Sequence, residues 1–187
     1  MICVILVLKS FYMELKMISI LMPIYNGIEF IEESVSSIIN QTYSNWELII
    51  GINGWPPGSE VYQHAKQYEK DTRIKVLDLD TSIKGKSAAL NEMIKYCKYD
   101  WISLLDVDDK WLPTKLELQI PFMNDYDVIG TLCQYFGELS HSLKLPTGNI
   151  TTFDFLIGNP IINSSCLVKK AVPDILCKDW PFRSALQ

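Results

Sequence analysis

The chain has 187 residues, 48% of them hydrophobic and 21% charged, which suits one domain with a sizeable core and excludes a disordered or fibrous chain. Its formal net charge of -5 leaves no broad basic surface for a nucleic acid. A nucleotide diphosphate is still compatible with an acidic protein, provided a cation lies between them.

Five cysteines, Cys3, Cys97, Cys133, Cys166 and Cys177, are odd in number and widely spaced, without a C-x-x-C pair. This argues against a zinc site or a disulfide framework and for buried thiols in a reducing compartment, here the cytoplasm. Residues 2–8 form an apolar run that Lys9 ends, far short of the ~20 residues of a membrane span. No basic stretch precedes it and no clear cleavage site follows, so no transmembrane segment or signal peptide is expected. Met13 and Met17 both lie just before the first convincing strand, and residues 1–16 read as an N-terminal extension or a mis-assigned start.

Residues 17–22 form a short apolar run ended by Pro23, as in a buried strand. Asn26, with Glu29 three residues on, predicts a capping box, and Ile31, Val35, Ile38 and Ile39 then recur at helical spacing. Residues 46–52 predict a second strand, closed by Asn53-Gly54 and Pro56-Pro57-Gly58. Val61, Ala65 and Tyr68 mark a second helix, and residues 73–79 a third strand. Leu90, Ile94 and Cys97 mark a third helix, followed by a strand at residues 101–105. Pro113 suits the first position of a fourth helix, with Leu116 and Ile120 on one face, and residues 127–133 predict a fifth strand. After Phe136 the pattern loosens, leading to a short helix near residues 152–157 and a strand near residues 164–168. The alternation predicts an α/β fold over residues 17–187: one domain, with a mainly parallel sheet flanked by helices.

Ligands of open α/β sheets bind outside the carboxyl ends of the strands. That rule selects residues 23–26, residues 52–55, the loop around Lys84 and Lys86, and residues 106–109. Asp106, Asp108 and Asp109 follow an apolar strand within four residues. Such carboxylates repel one another unless a cation or hydrogen-bond donors compensate, and hard oxygen ligands suit Mg²⁺ or Mn²⁺. The same residues also suit a helix N-terminus, whose dipole favours negative charge. His64 and His141 have no metal-ligand partner at a useful spacing.

Several segments, taken together, resemble the family 2 glycosyltransferases. Residues 17–26 (MISILMPIYN) look like that family's opening strand. Residues 36–43 (SSIINQTY) and Trp46-Glu47-Leu48-Ile49-Ile50 resemble its first helix and second strand. Lys84-Gly85-Lys86 with Asn91, and residues 104–113 (LLDVDDKWLP), resemble its third-helix loop and its D-x-D segment. Asn163-Ser164-Ser165 is a weaker fifth match. The resemblance implies a GT-A fold and inverting, metal-dependent transfer from a nucleotide-diphosphate sugar to a hydroxyl acceptor.

It also implies roles. Pro23 and Tyr25 would border the base, although Tyr25 also reads as core packing. Asp106 would sit near the ribose or the metal, and Asp108 would ligate Mn²⁺ or Mg²⁺. Asp109 reads as a possible helix cap. Lys84 or Lys86 would neutralise phosphate, unless simply solvated. Residues 17–115 correspond to the nucleotide-sugar-binding half and residues 116–187 to a partial acceptor half.

Two departures stand out. Asn53 stands where the family's base-reading Asp is expected. Its carbonyl can accept from a pyrimidine N–H, which points to a UDP-linked donor, but Asn53-Gly54 also reads as a turn. The family's Glu-Asp pair, source of the general base, is missing, leaving Asp174 and Asp179 as the acidic residues of that region. Two alternatives follow: a truncated or non-catalytic nucleotide-sugar-binding protein, and a nucleotidyltransferase. An incomplete acceptor half would leave Phe155, Leu167 and Trp180 uncovered and invite self-association.

Overall fold

Ile18–Ile24 (β1) is apolar at nearly every position, and a strand of that kind needs cover on both faces. The computed structural model, which describes residues 16–83, 85–137, 143–151, 154 and 158–171, sets it inside a six-stranded sheet. The other strands are Trp46–Ile52 (β2), Ile74–Asp78 (β3), Trp101–Leu104 (β4), Val128–Ile129 (β5) and Leu167–Lys169 (β6), in the spatial order β3-β2-β1-β4-β6-β5. The first four strands pair in parallel, while β6 runs antiparallel to both β4 and β5.

Four short helices cover the sheet: Ile31–Ile39 (α1), Glu60–Lys66 (α2), Lys86–Ile94 (α3) and Lys115–Gln119 (α4). Alternation along the strands divides the core in two. Ile20, Ile24, Leu48 and Ile50 face Val35, Ile38, Ala65 and Leu116, whereas Leu21, Ile49 and Ile102 face Ala89 and Met93. Gly51 lets α3 sit down on β2, because a Cβ there would lie 2.5 Å from Met93 Sδ. Glu47, almost wholly buried, accepts from Ser19 Oγ at 2.7 Å and from the Lys98 amide at 2.8 Å, so it fastens the turn before β4 to the centre of the sheet.

The structure departs from the sequence expectations in specific ways. β1 does not stop before Pro23 but runs through it to Ile24. Leu21 O accepts from Leu105 N on the β4 side and Ile24 O accepts from Asn53 N on the β2 side. The strand's alternation therefore turns the missing donor of Pro23 toward β4, which pairs with β1 only as far as Leu21, and no ladder bond is lost. The capping box does not form. Gly27 holds the cap position of the turn Ile28–Phe30 at φ 83°, without a side-chain bond, a conformation that glycine adopts at little cost. Pro113 precedes α4 by two residues rather than opening it, and the fifth strand shrinks to two residues. Ser164 lies in the turn Asn163–Ser165, ahead of β6. The helix expected near residues 152–157 falls almost wholly outside the described residues, as do Phe155 and Trp180. Leu167, expected to lie uncovered, is fully buried in the sheet. Among the described residues no helix is long and apolar enough to cross a membrane.

The segment from β4 to α4 is stitched to α1. Ser34 Oγ lies 2.5 Å from Val107 O and 2.6 Å from Asp109 O. Ser37 Oγ accepts from Trp111 N, Gln41 Nε2 donates to Leu112 O at 2.8 Å, and Thr42 N donates to Pro113 O at 2.9 Å. Buried beneath this segment is Lys115. Its ammonium lies 2.9 Å from Gln119 Oε1, 3.3 Å from Ser103 Oγ and 3.9 Å from the Trp111 ring centroid.

Burial is the main force lowering the Lys115 pKa, to about 7 from 10.5. Below pH 7 the amine is charged folded and unfolded alike, and the fold bears the full desolvation cost. As pH rises from 7 toward 10.5 the folded state sheds its proton first and stability is regained. Lys115→Met should therefore raise the stability, and with it the melting temperature, most near pH 6, by on the order of a few kcal/mol less the two lost hydrogen bonds. The advantage should shrink toward pH 10. Parallel calorimetric melts of both proteins across that range test it, and a gap independent of pH would refute it.

Candidate functional site

Where β4 leaves β1, the sheet opens into a cleft of about 750 Å³. Its walls come from the ends of three parallel strands and the start of α3. Pro23 lies at the end of β1 and Tyr25, Gly27, Glu29 and Phe30 follow it, Asn53 and Gly54 follow β2, and Asp106, Val107 and Asp108 follow β4. Ile83, Gly85 and Lys86 lie at the entry to α3. The amino end of α3 thus borders the cleft, and a helix start of this kind favours an anion.

The three carboxylates after β4 meet three different fates. Asp106 is paired with Lys86, whose Nζ lies 2.5 Å from its Oδ1. Asp108 is exposed and lines the cleft. Asp109 turns away and accepts a short hydrogen bond from Ser164 Oγ. Burial, the largest influence, pushes the Asp109 carboxyl above its ordinary value; the Ser164 bond opposes that, and the nearby charges of Asp106 and Asp108 add to it. Asp109 is thus neither an exposed helix cap nor a lining residue. Among the described residues no three His, Cys, Asp or Glu side chains come together as a metal cage.

The cleft also carries an exposed aromatic ring. The Tyr25 ring lies over Gly54, where an added Cβ would come within 2.4 Å of it, so the left-handed Gly54 (φ 81°) makes room for the ring. Trp55 Nε1 donates to Tyr25 O at 2.6 Å and fixes the backbone that carries the ring. Tyr25 itself is 61% exposed and is not core. Asn53 is only 3% exposed. Its amide reaches Gly85 O at 3.4 Å, while its carbonyl oxygen is a buried acceptor without a partner among the described residues.

The structure therefore gathers Pro23, Tyr25, Asn53, Lys86, Asp106 and Asp108 into one cleft. Lys84, Asp174, Asp179 and His141 lie outside the described residues, and His64 is exposed on α2. Sequence reasoning gave Glu29 only a capping role and did not single out Phe30, although both follow the strand-end segment at residues 23–26. It also gave no role to Ser164 beyond the weak Ser-Ser match. Cys97, Cys133 and Cys166 are free thiols, with Cys97 and Cys166 buried.

Comparison with known proteins bears on this arrangement. The family description "Glycosyl transferase family 2" matches residues 19–165. The O-antigen biosynthesis glycosyltransferase WbnJ of Escherichia coli is 40% identical over 164 residues, which cover 84% of this chain and 63% of that protein. The Escherichia coli enzyme WfgD, named as a UDP-Glc:alpha-D-GlcNAc-diphosphoundecaprenol beta-1,3-glucosyltransferase, is 39% identical over 111 residues, 59% of this chain and 42% of that protein. The chain thus spans about two fifths to two thirds of the length of these relatives.

Among solved structures, Staphylococcus aureus TarS residues 1–349 in complex with UDP-GlcNAc superposes with a TM-score of 0.60 at 18% identity, over 85% of this chain and 47% of that one. The mannosyltransferase PcManGT of Pyrobaculum calidifontis, in complex with GDP-Man and Mn²⁺, superposes with a TM-score of 0.61 at 16% identity, over 85% and 46%. These likenesses show the GT-A fold. The family match leaves the nucleotidyltransferase alternative without support. It runs from the second residue of β1 to the turn that receives Asp109, and on that extent the chain belongs to glycosyl transferase family 2.

Proposed function

We propose that this chain carries the donor-binding half of an enzyme that moves a sugar from a nucleoside-diphosphate sugar, uridine-linked, to a hydroxyl acceptor with inversion. The observation that carries the reading is a single cleft lined both by an exposed aromatic ring, Tyr25, and by a carboxylate, Asp108, that has no partner among the described residues. The Lys86 ammonium and the start of α3 line the same cleft and could meet a diphosphate there. The relatives and neighbours whose names include UDP-Glc, UDP-GlcNAc or GDP-Man support a nucleotide-sugar donor. The free thiols support a reducing, cytoplasmic setting.

The residues present fit a divalent cation. Mg²⁺ and, by similar chemistry, Mn²⁺ are bound by one or two carboxylates together with substrate phosphates rather than by an all-protein cage. Among the described residues Asp108 has no partner in the cleft and the Asp106 carboxylate is held by an exposed lysine, so the two are such a pair. The ion would supply Lewis-acid stabilisation of the departing diphosphate. An inverting transfer also needs a base for the acceptor hydroxyl, and Asp174 and Asp179 are the first positions to test for it.

Calorimetric titration with UDP, with and without Mn²⁺, tests the metal. Asp108→Asn keeps the size and removes the charge. The variant should lose about tenfold or more of the Mn²⁺-dependent affinity, as expected when a charged contact is removed. An unchanged constant sinks the assignment.

Base choice is read separately. Tyr25→Ala should weaken UDP and GDP alike, by the ~1–3 kcal/mol of a base on an aromatic platform. Asn53→Ala should instead narrow the gap between them, because its unpartnered carbonyl is the acceptor available to a pyrimidine N–H. A wild-type protein that binds GDP as well as UDP rules out this role for Asn53.

A further inference from the structure

Between Asp106 and Asp109 the chain must aim one carboxylate into the cleft and keep a neighbouring one out of it. Both of the outer aspartates meet the same hydroxyl. Ser164 Oγ accepts the Asp106 amide N–H at 3.1 Å and donates its own hydrogen to the Asp109 carboxylate. One side chain, more than fifty residues away in sequence, thus reads both ends of the loop.

Ser164 is itself held in place. It is 7% exposed, and its carbonyl takes the Trp111 indole N–H at 2.6 Å. The Trp111 ring is covered in turn by the Lys115 ammonium. On the far side the Val107 and Asp109 carbonyls lie against Ser34 Oγ. With its backbone gripped from both sides, the loop keeps Asp108 as the carboxylate with no protein partner among the described residues.

We propose that Ser164 is a positioning residue: by bonding the Asp106 amide and the Asp109 carboxylate together it keeps Asp109 out of the cleft and leaves Asp106 and Asp108 to meet the cation. The inference rests on the donor-binding reading above. It makes Ser164 neither a ligand nor a group that touches substrate. It gives Asp109 a defined part as well, the carboxylate that has to be restrained.

The test uses Ser164→Ala, Asp109→Asn and the double variant, with two readouts. The first needs no metal: amide hydrogen exchange by NMR. Asp106 N–H should lose its protection in Ser164→Ala, while Leu105 N–H, bonded to Leu21 O in the sheet, keeps its own and certifies the fold. The second is the Mn²⁺ dissociation constant in the presence of UDP, followed by electron paramagnetic resonance.

Ser164→Ala should weaken Mn²⁺ about tenfold, the size of one hydrogen bond to a charged group. The same substitution made in Asp109→Asn should cost clearly less, because the side chain set free is then neutral. An equal loss in both backgrounds would mean that Ser164 supports the fold alone and overturns the inference. So would unchanged Asp106 exchange, or an unchanged constant in Ser164→Ala beside a wild type that binds Mn²⁺. A wild type that does not bind Mn²⁺ at all overturns the donor-binding reading and this inference together.

Discussion

The separation of β4 from β1 is the constraint on which the rest of this structure depends. The two strands pair over four residues and the last contact is the Leu105 amide on Leu21 O, while β2 follows β1 three residues further. A sheet that opens in this way leaves strand-end backbone on both sides of a crevice, and a ligand can enter between them. Apolar layers cover both faces of the sheet beneath it. Ile20, Ile24, Leu48 and Ile50 are packed on one side and Leu21, Ile49 and Ile102 on the other.

Fold class and element order were legible because buried parallel strands write themselves as apolar runs, and residues 17–22, 46–52 and 101–105 are such runs. Element ends were less legible. Pro23 looked like a stop because a proline removes a donor, but its missing N–H points to the side that β4 has already left. Asn26 and Glu29 had the spacing of a capping box, yet Gly27 in a left-handed conformation sets the turn instead. In both places a local rule was overridden by what the neighbouring strand was doing, which a single sequence does not record.

The motif residues divide by task in a way that their spacing alone did not disclose. Gln41 and Thr42, in the segment resembling the family's first helix, bond the carbonyls of Leu112 and Pro113. Glu47, in the second-strand segment, is a buried fastener rather than a surface charge. Tyr25, Asn53, Lys86, Asp106 and Asp108 line the cleft. Part of what looks like a functional signature is thus the joinery that holds the rest. Ser164 was matched only weakly and given no role of its own, because serines carry little periodicity and the groups its hydroxyl meets, Asp106 and Asp109, lie more than fifty residues away.

Charge ties these observations together. Three aspartates within four residues repel one another, and the fold answers with a lysine for the first, a serine hydroxyl for the third and open space for the second. With Asp109 turned inward and Asp106 shared with Lys86, the protein offers too few oxygens to complete a coordination shell by itself. A diphosphate can supply the remainder. On the proposed reading, an ion bound on those terms would have its full ligand set only when the donor is present, and the nucleotide and the metal would then each strengthen the binding of the other.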